Sequence, residues 1–118
     1  MAQINRRDLN TRRHSNKQEK RVSKATQGKK QPNSGATPFF KGDVISSEFL
    51  IECKTAMTEK KSMSIKKEWI DGIKEESFGM GRENWALAFN FGGLQNNEDF
   101  YIINEYLFKK LQTYIKED

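Results

Sequence analysis

Residues 43–55, Asp-Val-Ile-Ser-Ser-Glu-Phe-Leu-Ile-Glu-Cys-Lys-Thr, set the chain to a period of two. Two short runs, Asp43 to Ser46 and Phe49 to Thr55, flank a tight connection at Ser47 and Glu48, which is the pattern of a β-hairpin. Successive strand side chains alternate in direction, so Phe49, Ile51 and Cys53 share one side, and Leu50, Glu52 and Lys54 share the other. A connection centred between Ser47 and Glu48 pairs Ser46 with Phe49, Ile45 with Leu50, Val44 with Ile51 and Asp43 with Glu52. Glu52 and Lys54 thus interrupt a strand that otherwise reads as core, where charges are rare unless paired or functional.

N-terminal to the hairpin, a short helix is predicted from Ser15, with Gln18 as its capping-box partner, through Glu19, Val22 and Ala25 to a stop near Gly28. Gln31 to Pro38 is rich in turn formers and reads as a loop. After the hairpin, Met57 to Ser62 is polar and reads as a mobile loop. A helix is predicted from about Ile65 to Phe78, with Ser64 as its cap and Ile65, Trp69, Ile70 and Ile73 on one stripe. Trp85 to Phe91 is apolar on both faces and reads as a central strand covered on both sides. Asp99 to Ile103 is a further strand, and Asn104 caps a last amphipathic helix carrying Leu107, Phe108, Leu111 and Ile115. The order is α-β-β-α-β-β-α, an α/β fold in which a small mixed sheet is flanked by helices. Residues 1–13 are expected to form a flexible basic arm, and 14–118 a single domain.

Charge is uneven along the 118 residues, whose net charge is +5. Residues 1–32 carry ten Lys or Arg against two acids, whereas 33–118 carry eleven against fourteen. A basic segment on a mildly acidic body suits a polyanion, because each neutralised phosphate releases counterions; a solvated tail would have the same composition. No apolar run is long enough to span a bilayer, the N-terminus has no hydrophobic region of secretory type, and Cys53 is the single cysteine. These features lead to the expectation of a protein of the reducing cytoplasm without membrane attachment.

Directly opposed residues on one face have Cβ atoms about 4.5–5.5 Å apart. Two carboxylates that close repel, so one keeps a proton unless a cation sits between them. A hard divalent ion with oxygen ligands resolves that conflict, and Mg²⁺ is the usual occupant of such a partial cage, with Mn²⁺ as a substitute. Lys54, on the face of Glu52, can then reach an attacking water or a scissile phosphate. The same three residues would equally make a cross-strand surface salt bridge.

The stretch NSGATPFFKGDVISSEFLIECKT, residues 33–55, resembles the signature of the PD-(D/E)xK nuclease superfamily, and within it the archaeal- and phage-type Holliday junction resolvases. The matching positions are Glu19 in the helix NKQEKRVSK, Ser34 and Gly35 in the loop, Asp43, and Glu52 with Lys54, over roughly residues 14–91. Gly42, not proline, precedes Asp43. The resemblance implies a restriction-endonuclease-like core and metal-dependent resolution of branched DNA by a homodimer. It implies Glu19 as a further metal or water ligand, Ser34 as a contact near the scissile phosphate, and the Cys53 carbonyl as a metal ligand. The phage-like relatives suggest a bacteriophage origin and action in the host cytoplasm, in DNA recombination and repair.

Candidate DNA contacts are Arg6, Arg7, Arg12, Arg13, Lys17, Lys20 and Arg21 in the first segment, and Lys60, Lys61 and Lys67, beside Lys66, after the E-x-K strand. Ser62 and Ser64 would add phosphate hydrogen bonds, and His14 reads as a cap-region or phosphate contact. Trp69 and Trp85 sit at core-facing spacing, and Cys53 reads as a buried small hydrophobe. The Trp85–Phe91 strand and the stripe on the helix before it are candidate dimer surfaces. The rival readings are a nicking, flap or restriction-type nuclease and a non-catalytic nucleic-acid-binding module.

Overall fold

The computed structural model describes residues 6–31, 43–93 and 95–117, with side chains over 13–31, 43–93 and 95–116. The first helix, α1, spans Arg6–Thr26 and starts nine residues ahead of the expected Ser15. Its 21 residues contain neither Gly nor Pro and are rich in Arg and Lys, which tolerate a helix on composition alone. The helix therefore takes in much of the segment expected to be a flexible arm. It ends where Gln27 turns to φ 55° and the Gly28 amide donates to the Ser23 carbonyl at 2.9 Å, a left-handed C-terminal cap. Gly28 is required by close approach: a Cβ there would stand 2.8 Å from the Ile45 carbonyl oxygen.

The hairpin follows as β2 (Val44–Ile45) and β3 (Phe49–Lys54), preceded by a two-residue strand, β1 (Lys29–Lys30), that sequence periodicity does not reveal. The pairings Val44↔Ile51 and Ile45↔Leu50 are those expected from a turn at Ser47 and Glu48. Helix α2 (Lys67–Gly79) leads to β4 (Asn84–Phe89), then β5 (Phe100–Ile102) and α3 (Glu105–Glu117). The sheet runs β1-β2-β3-β4-β5, with β3 and β4 parallel and the other neighbours antiparallel. The parallel pair needs a crossover, and α2 supplies it.

The two sheet faces are unlike. On one, Leu50, Ile73 of α2 and Trp85 are buried together, with Ile45, Ile70 and Met80 beside them. On the other, Ala86 and Ala88 make room for Val22 of α1 over Val44 and Ile51. Leu50, Ile51, Ile73 and Leu87 are buried to within 1%, each worth about 1.5–3 kcal/mol of hydrophobic stabilisation. Helix α3 lies on the α1 side, where Leu107 and Leu111 line a groove with Ala25, Phe49 and Ile51. The domain is thus an α/β layer structure with helices on both sides of a mixed sheet, and no helix among the described residues is long and apolar enough to cross a membrane.

Three expectations are corrected. Lys66, not Ser64, precedes the first turn of α2, without a side-chain cap bond, and Ile65 lies outside the helix, 38% exposed. Trp85 to Ala88 is buried inside the domain, so it forms core and no dimer surface. The lysine-rich segment after β3 is pinned at one end: the Lys60 amide donates to the Phe91 carbonyl at 2.7 Å, and Thr58 and Ala56 press on Gly92, at φ 94°, where no side chain fits. The Asn104 cap is as expected, its Oδ1 accepting from the Leu107 amide at 2.9 Å.

Candidate active site

The candidate site lies at the C-terminal end of β3, where β2 has already ended. Residues of β3 with odd numbers direct their backbone polar groups to β2, as Phe49 and Ile51 do through the bonds Ser46 N–H to Phe49 O and Asp43 N–H to Ile51 O, both 2.9 Å. The Cys53 amide faces the same way but, among the described residues, has no strand to meet. Asp43 takes its place: Oδ2 accepts from the Cys53 amide at 2.7 Å. The Asp43 main chain is held from both sides, since its carbonyl also accepts from the Gln31 amide at 2.9 Å. Asp43 is therefore offset from simple opposition to Glu52, and its side chain bridges the gap.

Glu52 shares a side-chain hydrogen bond with Asp43. Burial, then the Asp43 charge, push the Glu52 carboxyl from 4.5 up to about 7, against the lowering effect of Lys54; Glu76 on α2 adds to the rise. Lys54 Nζ lies 3.5 Å from Glu52 Oε1 and 4.6 Å from the centroid of the Trp69 ring. That ring also carries Lys66, at 5.8 Å. Trp69 is thus more than the core residue expected of it: half-buried at the start of α2, it forms a platform for the site lysine.

Glu19 approaches from α1. Its side chain is 9% exposed, Lys30 Nζ stands 3.8 Å from Oε2, and burial followed by the Asp43 charge raise its carboxyl from 4.5 to about 7. Its neighbour Gln18 is buried too, and its Nε2 donates to the carbonyls of Lys54 at 2.9 Å and Ala88 at 3.3 Å, tying α1 to the ends of β3 and β4. Gln18 was expected only as a capping partner. The available clue is that it lies four residues before Val22, on the same helical face.

Cys53 packs its side chain against the Val22–Ala88 core, on the face away from Glu52, and burial pushes its thiol up. Its carbonyl, by strand alternation, points the way of its amide, toward Asp43. Among the described residues no three His, Cys, Asp or Glu side chains close on one point as a metal cage. Two carboxylates and a main-chain carbonyl nevertheless fit a small hard cation, which takes one or two carboxylates and completes its shell with water and substrate oxygens.

The basic residues divide. Arg13, Lys17, Lys20 and Lys24 are exposed at helical spacing along α1. Arg21 is engaged internally: its Nε and Nη2 hold Asp99 Oδ2 and Oδ1 at 2.9 and 3.0 Å, and the Asp99 side chain is 8% exposed. The bidentate bond raises the guanidinium pKa further, so Arg21 is a structural tie and not an open phosphate contact. His14 lines a small polar pocket with Lys17, Arg21 and Asn90. Lys60, Lys61, Lys66 and Lys67 are exposed, with Lys67 in an exposed pair with Asp71 at 2.7 Å. Ser34 and Gly35, and the side chains of Arg6, Arg7 and Arg12, lie outside the described residues. Compared with models of protein families, with curated proteins and with solved structures, the chain has no match.

Proposed function

We propose that the chain is a Mg²⁺-dependent, structure-selective DNA endonuclease of the PD-(D/E)xK type that resolves four-way junctions by paired phosphodiester hydrolysis. The observation that carries the reading is the acid pair of Asp43 and Glu52 at the end of β3, with Glu52 raised to about 7 and Lys54 on the same face. A fold that keeps two carboxyl groups in contact and partly desolvated gives up stability for a site. The α/β order, with Asp43 just ahead of β2 and Glu52 on β3, supports a restriction-endonuclease-like core.

Asp43, Glu52 and the Cys53 carbonyl would hold the ion, with Glu19 as a further carboxyl beside Asp43. Mg²⁺, or Mn²⁺ in its place, would supply a Lewis acid for the phosphate and acidify a bound water. Lys54, braced by Glu52 and Trp69, keeps its ammonium directed at the acid pair, where it can neutralise charge developing on a phosphate oxygen. The exposed stripe of Arg13, Lys17, Lys20 and Lys24, and the cluster of Lys60, Lys61 and Lys66, would grip backbone phosphates without reading bases. A four-way junction has approximate two-fold symmetry, so paired cuts call for two identical sites and hence a homodimer.

The test is incubation with labelled four-way junction, linear duplex and flap, with and without Mg²⁺, alongside Glu52→Gln and Lys54→Ala. Symmetric, Mg²⁺-dependent cuts confined to the junction are expected, and both variants should lose them. Equal cutting of duplex or flap would reassign the substrate to a nicking, flap or restriction-type nuclease. One observation favours a non-catalytic binding module: Glu52 and Lys54 are already an ion pair at 3.5 Å. Binding without cutting of any substrate would establish that second reading.

A further inference from the structure

Helix α3 leaves an apolar surface uncovered. Leu107 is 6% exposed, but Phe108, Leu111, Tyr114 and Ile115 are 59, 44, 67 and 71% exposed. At about 100° per residue these five side chains fall within an arc of roughly 120°. Glu105, Lys109, Lys110, Gln112 and Lys116 fall outside it. Tyr101 of β5, 41% exposed, continues the surface toward the sheet. Alongside runs a groove of about 300 Å³ lined by Ala25, Phe49, Ile51, Tyr101, Ile103 and Leu107.

The size of this surface matches one side of a protein–protein interface. Aromatic side chains carry about 150–250 Å² each, so the exposed fractions of Tyr101, Phe108, Leu111, Tyr114 and Ile115 leave on the order of 500 Å² of apolar surface in water. That is near the upper end of what a soluble monomer shows. A standard interface takes about 800 Å² from each partner, somewhat over half of it apolar, which is the same quantity.

We propose that this face is a homodimer interface, covered by the same face of a second copy of the chain. A two-fold contact requires one patch to complement itself. Here a ridge, Phe108 and Ile115, runs beside a groove, so a two-fold axis sets each ridge against the partner's groove. Among the described residues no ionic side chain lies within the arc, so the described part of the interface closes without burying a charge. Nucleic acid is excluded as the occupant because the lysines of α3 lie off the arc. The inference rests on the nuclease reading only for the use of the dimer, which is to present two sites to one junction.

Sedimentation equilibrium of the full chain tests it. The expected mass is twice 13.7 kDa. Phe108→Glu and Ile115→Glu should each weaken association by at least about thirtyfold, as loss of an interface hot spot does. Their circular dichroism should match the wild type, because both side chains are exposed in the single chain. Phe78→Glu is the control: Phe78 is 88% exposed on α2, away from this face, and its replacement should leave the dimer intact. A wild type that stays at 13.7 kDa at the highest soluble concentration would overturn the proposal. So would an equal effect of Phe78→Glu, dimers indifferent to both α3 substitutions, or a monomer that co-sediments with anionic phospholipid vesicles through Ile115. Glu52→Gln should dimerise normally while failing to cut, so mass reports on the interface and cleavage on the site.

Discussion

Replacing Glu52 by Gln removes a charge that the fold holds at a cost. The Glu52 carboxyl is raised from 4.5 to about 7, with Lys54 already counted as an opposing influence. Between those two values the folded chain keeps a proton that the unfolded chain has lost, so stability falls as pH rises from 4.5 through about 7 and then levels off. Each tenfold change in acidity is worth about 1.4 kcal/mol, giving about 3 kcal/mol in full. The Glu52 side chain is 23% exposed, and screening trims this to about 2–3 kcal/mol. Gln matches the protonated acid in shape, so the two proteins should be nearly equal in stability near pH 5. With divalent ions chelated, the Gln variant should be more stable by about 2–3 kcal/mol near pH 8. Glu19 titrates over the same range, but it is present in both proteins and largely cancels. Urea denaturation at the two pH values measures the difference. A difference that does not change with pH, or a Gln variant less stable near pH 8, would refute the reasoning. Added Mg²⁺ near pH 8 should then stabilise the wild type and leave the variant unmoved, because only a ligand of the folded state shifts the balance.

Asp43→Asn keeps an oxygen for the Cys53 amide, whereas Asp43→Ala leaves that amide without its 2.7 Å bond. Both should abolish cleavage, but only the Ala variant should lose about 1–3 kcal/mol in a melting experiment near pH 5. Arg21→Ala breaks the bidentate tie to the nearly buried Asp99 and should cost about 2–4 kcal/mol in urea denaturation. Lys20→Ala should leave stability within about 0.5 kcal/mol while lowering the salt dependence of DNA affinity by about one counterion. Gly92→Ala forces a Cβ onto the Thr58 carbonyl at a φ of 94° and should lower stability by about 2–4 kcal/mol by calorimetry.

Local periodicity made the hairpin legible. The positions of β2 and β3, their register and the common face of Glu52 and Lys54 follow from alternation about Ser47 and Glu48. Helix α2 and the Asn104 cap could be read the same way, since each depends on residues within a turn of one another. The start of α1 was not legible, because its first two turns have no apolar stripe and nothing local distinguishes a polar helix from a polar coil. The strand β1 is two lysines, identified only by its pairing with β2.

Local spacing is enough to bring Asp43, Glu52 and Lys54 together near the end of a hairpin, because strand geometry converts spacing into proximity. What they meet was decided by contacts between residues far apart in the chain. Asp43 caps an amide that β2 is too short to reach. Trp69, fifteen residues after Lys54, comes beside it only because α2 crosses back over the sheet. Arg21 is withdrawn from the basic stripe by Asp99, which lies 78 residues away, and the apolar side of α3 is left open because α1 and the sheet cover only Leu107 fully. Periodicity tells which side of an element is apolar; only packing tells whether that side is already covered.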